Sequence, residues 1–418
     1  MGLSVKVGNF VGQNDTLNQP ITGVGFQPKL VIIFGTDMGA TGSATGNVRH
    51  TFGAAASSSA RWAMSFSNVD AQTLEKSDKR FLSTRVLTID YNGTVEAEAD
   101  FVSMDSDGFT IDWITADNGT YGYIAIGGTD FSVAVGTLDS GSGTGNKSVS
   151  GLSFQPACVL LAAALAGTTE GSSTSYVQSL GAAISSSSRW VMGFNSPDGA
   201  DPTNNDTYWG TSQCLHRETD AGVSHAADFV SHNSDGFTLN YATNSASARL
   251  GYIAMAGCQF KLDTFTQLTS NSTQEISGVG FQPTLLMFMS PGLASSDGTR
   301  AAHIAPVIGA MTGSSARFTT AAGAPNGQAT TDNSRVQNNA AAIHHLNTAS
   351  PPATAGVADF SSFNSDGFTL SWTSTDGVAR QELYLAIAAT AAAEDITIDK
   401  WFKQSDRPLI QKPEMVAY

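Results

Sequence analysis

Charge is scarce in this chain. Charged residues fill 14% of its 418 positions, against about 25% in an ordinary soluble domain, so Ser, Thr, Asn, Gly and Ala must cover most of the surface. Such a surface suits an extracellular or particle-bound β protein better than a cytosolic helical enzyme. The charge that is present is lopsided: 21 Lys and Arg against 36 Asp and Glu give a formal net charge of −15. Nucleic-acid binding runs on phosphate neutralisation by basic side chains. With no basic cluster to offset the balance, nucleic acid is not an expected partner.

Cysteine is nearly missing. Cys158, Cys214 and Cys258 have no C-x-x-C spacing, which gives neither a zinc site nor a disulfide framework and predicts three buried free thiols. Long apolar runs are missing too. The longest, "ACVLLAAALAG" at 157–167, is far too short to cross a bilayer. The opening "MGLSVKVGNF" has no apolar signal core, and Lys6 stands where a myristoylation site wants Ser or Thr. The expectation is a soluble protein made without an export signal, with no membrane insertion.

Catalytic signatures are missing as well: there is no H-E-x-x-H, G-x-S-x-G, Walker loop or dinucleotide fingerprint. His50, His216, His225, His232, His303, His344 and His345 are scattered. The His344-His345 doublet would face opposite ways on a strand, so it predicts no metal site. "DSDG" at 105–108 lacks the length and terminal Glu of a calcium loop. No carboxylate pair is singled out for glycoside hydrolysis. The expectation is a protein without catalytic residues, cofactor or metal.

What is present is repetition. "SSSARW" at 57–62 returns as "SSSSRW" at 185–190 and "GSSARF" at 313–318, with Arg61, Arg189 and Arg317 at a constant interval of 128 residues. "GVGFQPKLVIIF" returns as "GLSFQPACVLLA" and "GVGFQPTLLMFM", and "ADFVSMDSDGFTIDW" as "ADFVSHNSDGFTLNY" and "ADFSSFNSDGFTLSW". Each copy closes on "YGYIAIGG", "LGYIAMAG" or "ELYLAIAA". A period near 128 is a whole domain with its own core, not a solenoid unit. The copies fall at 1–129, 130–257 and 258–391, with a tail at 392–418. The joints "GGTDF" and "AGCQF" carry no Pro/Ser linker, which predicts closely docked domains.

Within a copy almost everything reads as strand. In "FTIDW" Phe109, Ile111 and Trp113 alternate with Thr110 and Asp112. The preceding Ser-Asp-Gly predicts a tight hairpin turn through its Asp-Gly pair. "KLVIIF" is continuous and apolar, as for a strand buried on both faces. Pro28, Pro156 and Pro283 sit at the strand entrance, where a missing N–H does least harm. The predicted class is all-β: three tandem homologous β-sandwich, jelly-roll-like domains followed by a short extended C-terminal arm.

Each copy also carries an "ADF" aspartate, Asp100, Asp228 or Asp359. One Arg and one Asp per copy, both on strands, predict structural pairs Arg61–Asp100, Arg189–Asp228 and Arg317–Asp359. Two alternatives stay open. Trp62 and Trp190 beside the arginines would suit a carbohydrate- or carboxylate-binding platform, or the same stretches would touch a neighbouring subunit. The copies diverge after this strand, in polar, turn-rich segments where partners are commonly contacted. There Lys76, Lys79, Arg80 and Trp209 are candidate partner or glycan contacts. The tail "EDITIDKWFKQSDRPLIQKPEMVAY" belongs to no repeat, and its prolines deny it a long helix or central strand. Trp401, Phe402, Arg407, Pro408, Ile410 and Tyr418 would anchor it as a docking arm on another subunit; a disordered end is the alternative.

The set "GVGFQPKLVIIF…SSSARW…ADFVSMDSDGFTIDW…YGYIAIGG" resembles β-sandwich repeats of tailed-bacteriophage virion proteins, and the tail resembles short Trp/Pro/Lys-Pro segments of phage structural proteins. The resemblance implies a non-enzymatic structural protein on the particle exterior, made in the host cytoplasm. It would decorate or cement the capsid through contacts with other virion proteins, major capsid or tail subunits, as a homo-oligomer on the particle. The alternative it implies is a tail-associated receptor-binding module that reads host surface glycans; a depolymerase is a third reading. The absence of a coiled-coil or collagen-like shaft argues against a long tail fibre.

Overall fold

The computed structural model describes residues 2–39, 41–164 and 167–390. The protein is all-β, with several antiparallel sheets. In its first third the strands are β1 (Ser4–Val11), β2 (Asn18–Thr22), β3 (Leu30–Gly35), β4 (Thr45–Gly46), β5 (Val48–Ala55), β6 (Arg61–Asn68), β7 (Ser77–Leu82), β8 (Leu87–Tyr91), β9 (Thr94–Asp105), β10 (Gly108–Thr115) and β11 (Thr120–Gly127). A larger sheet runs β1-β11-β3-β5-β6-β7, and a four-stranded sheet runs β2-β10-β9-β8. The same two orders recur in the second and third parts of the chain.

The two sheets of the first third pack face to face. Val31, Ile33, Tyr121 and Tyr123 of the larger sheet meet Leu87, Ile89, Phe101, Phe109, Ile111 and Trp113 of the smaller one in a single core. The other face of β3 has a different destination. Leu30, Ile32 and Phe34 join a core that also holds Trp62, Trp190 and Phe318 and so draws on all three thirds. This explains the unbroken apolar run: alternate residues serve a local core and a central one. The larger sheets thus surround a common centre.

Ser-Asp-Gly does more than turn a hairpin. Asp105 pairs with Gly108, so the two turn residues are Ser106 and Asp107, and the glycine opens the next strand. A Cβ on Gly108 would lie 1.9 Å from the Ile21 carbonyl oxygen; at Gly236 and Gly367 the corresponding gap to Val149 and Ile276 is also 1.9 Å. The expected hairpin is present and Gly108 and Gly367 have the expected positive φ, at 150° and 154°; what is corrected is the turn pair, which is Ser-Asp, with the glycine also required by close backbone approach. The Asp107 carboxylate accepts from the amides of Gly23 (3.1 Å) and Gly25 (2.6 Å). Asp366 does the same for Gly278 and Gly280, which ties the hairpin to the loop before "FQP".

The thirds exchange edge strands in a cycle. Gly171–Thr174 of the second third adds to β7, with Ser173 opposite Lys79. Arg300–Ala302 of the third adds to Asp206–Gly210 of the second. β4 of the first adds to Ser334–Asn338 of the third. Each larger sheet thereby becomes seven-stranded, and the chain closes into a ring with pseudo-threefold symmetry.

Candidate functional site

The recurring Arg-aromatic step is built from a serine turn. Ser57 Oγ accepts from the amides of Ser59 (3.2 Å) and Ala60 (3.1 Å), and Ser185 does the same for Ser187 and Ser188. The turn presents the Ser58 and Ser186 carbonyls to the guanidinium groups of Arg61 and Arg189. Arg61 then reaches β9 of the smaller sheet from a partly exposed position: its Nη2 donates to Asp100 Oδ2 at 3.0 Å, and its Nε lies against Oδ1. Arg189 meets Asp228 in the same way, with Nη2 to Oδ2 at 3.1 Å. Arg317 Nε lies 2.5 Å from Asp359 Oδ1. Each pair fastens a larger sheet to its four-stranded partner.

The aromatic beside each arginine points the other way, as alternation on a strand demands. Trp62 is fully buried, lies over Gly251 and donates from Nε1 to the Tyr252 carbonyl at 3.1 Å. Trp190 is equally buried and donates to the Tyr384 carbonyl at 3.1 Å. Phe318 closes the cycle against Gly122 and Phe34 of the first third. A glycan platform on Trp62 and Trp190 is thus corrected: both indoles are consumed by the seams between thirds. Trp209 is also corrected as a partner contact. It is buried, and its Nε1 donates to Ser295 Oγ at 2.9 Å.

The seams carry a second repeated device. Lys79 Nζ donates to the carbonyls of Thr174 (2.9 Å) and Ser175 (2.7 Å). One repeat later Thr207 Oγ1 donates to the His303 carbonyl at 2.7 Å. One repeat later again Arg335 Nη1 donates to the Gly46 and Asn47 carbonyls at 2.6 and 3.3 Å. The shared acceptors Asn47, Ser175 and His303 all have positive φ, with values of 65°, 66° and 78°, in or beside the left-handed region that non-glycine residues seldom adopt. Lys79, expected as an exposed contact, is buried and pins a borrowed strand instead. Arg80 is half-buried and bridges Glu98 (2.8 Å) and Ser172 Oγ (2.7 Å). Lys76 is exposed. Trp401, Phe402, Arg407, Pro408, Ile410 and Tyr418 lie outside the described residues.

The divergent segments do not simply face outward; they meet one another on the pseudo-threefold axis. Asn68 and Ser196, equivalent positions one repeat apart, hydrogen-bond directly at 2.8 Å. Both donate to Glu75 Oε1, at 2.7 and 2.8 Å. Asn333 donates to Asn68 Oδ1 at 2.9 Å, Thr331 to the Val69 carbonyl at 2.8 Å, and Thr203 to the Pro325 carbonyl at 2.9 Å. Burial pushes the Glu75 carboxyl above its usual range, while Asn68 and Ser196 pull it back. Three like carboxylates on an axis would repel one another, so this junction rewards difference between copies. Beyond it the tips stay open: Leu74 is 52% exposed, and Lys76, Asp201, Pro202, Ala329 and Thr330 are exposed around it.

Sequence reasoning missed Asn68, Glu75, Arg217 and Arg335. Arg335 was findable, since it stands two repeat intervals after Lys79. The others lie where the copies differ, so repetition gave no signal. Among the described residues no group of three or more His, Cys, Asp or Glu is arranged to hold a metal ion. His344 and His345 face apart: His344 Nε2 meets Thr354 Oγ1 at 3.0 Å, and His345 Nε2 meets Glu382 Oε1 at 2.6 Å. No protein-family model matches the chain, and no curated protein is detectably similar to it.

Proposed function

We propose that the protein is a non-enzymatic structural component of a bacteriophage virion, exposed on the particle, where it decorates or cements the capsid through protein–protein contacts. Its architecture is three tandem copies of one sandwich domain. The jelly-roll-like feature is the nesting of the first two strands on the last two, β1 on β11 and β2 on β10; the strands between them form meanders.

One observation carries the reading: the cyclic exchange of edge strands, which gives a single chain a threefold-like outline. Such a body matches a threefold position in a symmetric shell, and rigid seams let it bridge neighbouring subunits without distortion. The open tips at the axial end, around Leu74 and Lys76, are the contact face in this reading, and 392–418 supplies a second attachment. The glycan-reading alternative loses Trp62 and Trp190 as its stacking surfaces.

Imaging of intact particles tests the proposal. Many copies centred on local threefold positions of the head are expected. A few copies at one tail vertex would overturn it in favour of host attachment.

A further inference from the structure

A cavity of about 420 Å³ opens at the seam where the borrowed strand Gly171–Thr174 joins β7. Its walls include Lys79, Arg217, Asn195, Thr219, Ser173 and Asp220. The two cations are unusual because both are buried, Lys79 at 3% and Arg217 at 6% exposure, and no carboxylate lies within ion-pair distance of either among the described residues. Burying unpaired charge is expensive. Lys79 spends two of its three ammonium protons on the Thr174 and Ser175 carbonyls. Arg217 gives Nη1 to Ser224 Oγ at 2.6 Å, and its buried Nε has no hydrogen-bond partner.

The opposing charge is accounted for. Asp220 Oδ1 accepts from Asn195 (2.8 Å) and Asn204 (3.3 Å), and Asp78, beside Lys79 on β7, accepts from the Gly93 amide at 3.1 Å. Two cations and one carboxylate therefore face the cavity. Burial, then the charge of Arg217, pushes Lys79 down to about 8, and burial brings Arg217 down to about 10. The Asp78 charge opposes the fall at Lys79 without cancelling it, and no charge offsets the burial of Arg217.

The geometry points to a binding site for a single oxyanion group, a phosphate, sulfate or sugar carboxylate, held between Lys79 and Arg217. Guanidinium and ammonium groups in a partly closed, desolvated space are the chemistry that recognises such an anion. Among the described residues this pairing of cations occurs at one seam. At the repeat-equivalent positions the second seam has Thr207 and His345, and the third has Arg335 and Ile89, where Arg335 already faces Asp37 at 3.2 Å. The inference does not depend on the virion reading.

Calorimetric titration of the full chain tests it, with inorganic phosphate, sulfate, glucuronate and N-acetylneuraminate each run against chloride at matched ionic strength. Saturable binding of at least one probe at one site per chain is expected. Arg217→Gln should weaken it about 10-fold or more, and Asp220→Asn should tighten it. Comparable affinity for phosphate and the acidic sugars assigns a free-anion site; a clear preference for glucuronate or N-acetylneuraminate assigns an acidic glycan. Folding of each variant is checked by circular dichroism, and should Arg217→Gln fail to fold, Lys79→Gln and Asp220→Asn carry the comparison. Absence of saturable binding by the native chain, three sites per chain, or unchanged affinity in the folded variants would overturn the proposal.

Discussion

The indole of Trp62 donates its hydrogen to the backbone carbonyl of Tyr252, 190 residues away and in the next third of the chain. Its ring fills the space that a side chain at Gly251 would need. A buried aromatic wedged between two sheets contributes both area and contact, so Trp62→Ala should cost about 3–5 kcal/mol of unfolding free energy. Trp62→Phe keeps most of the area and loses the donor, costing about 1–2 kcal/mol. Chemical denaturation measures both; a Trp62→Ala loss under about 1 kcal/mol would mean the seam does not depend on this side chain.

Arg61 and Asp100 join the two sheets of one third from a partly exposed position. Asp100→Ala strands a guanidinium and should cost about 1–2 kcal/mol, less than a fully buried pair because water reaches it. The double variant Arg61→Met with Asp100→Leu should recover part of that loss, since an apolar pair leaves no orphaned charge. If the double variant is no more stable than Asp100→Ala, the aspartate has a role besides fastening. Equilibrium unfolding of the three proteins side by side gives the answer.

The fold was far more legible than the site, for reasons visible in particular residues. Phe109, Ile111 and Trp113 announce a half-buried strand by their spacing, and Leu30 to Phe34 announce a doubly buried one. The ring closure left no such mark. It rests on Thr45–Gly46, Gly171–Thr174 and Arg300–Ala302, segments too short for any hydrophobic period and indistinguishable from loop. Trp62 beside Arg61 reads equally well as a binding platform or a wedge, because its burial is decided by Gly251 in another third. The segments around Glu75 and Thr203 looked like outward loops since they differ between copies. They turn inward instead and meet one another, Glu75 against Asn68 and Ser196, Thr203 against the Pro325 carbonyl.

Cys158, Cys214 and Cys258 are free and buried. Burial pushes the Cys258 thiol up to about 12, and Cys158 and Cys214 further still, so thiolate is scarce at neutral pH and reagents have no path to it. A thiol-reactive chromogenic disulfide should therefore modify none of the three in the native protein within minutes. It should modify all of them once denaturant is added. Rapid modification of any one under native conditions would reveal local opening at its strand, most tellingly at Cys258 on the joint between the second and third parts.

His50 supplies the sharpest pH test. The ring is fully buried, lies 4.9 Å from Phe66, and its proton affinity falls to about 3 through burial, with the Arg335 charge adding to the effect and a backbone contact at Ala321 opposing it. The unfolded chain takes up a proton at this residue near its ordinary value of about 6.5, whereas the folded chain refuses it until about 3. Protons therefore favour the unfolded state across that window, and the stability due to a neutral His50 is present above it and lost as pH falls. Glu75, raised by burial, works in the opposite sense, so the total curve mixes both signs. Comparison with His50→Leu removes the mixture. Between pH 6 and 4, roughly, the native protein should lose stability faster than the variant by about 1.4 kcal/mol per pH unit, the slope of one proton. Unfolding free energies at a series of pH values measure the difference. Parallel curves would mean that His50 is already protonated inside the fold, and that Arg335 tolerates a second buried cation beside it.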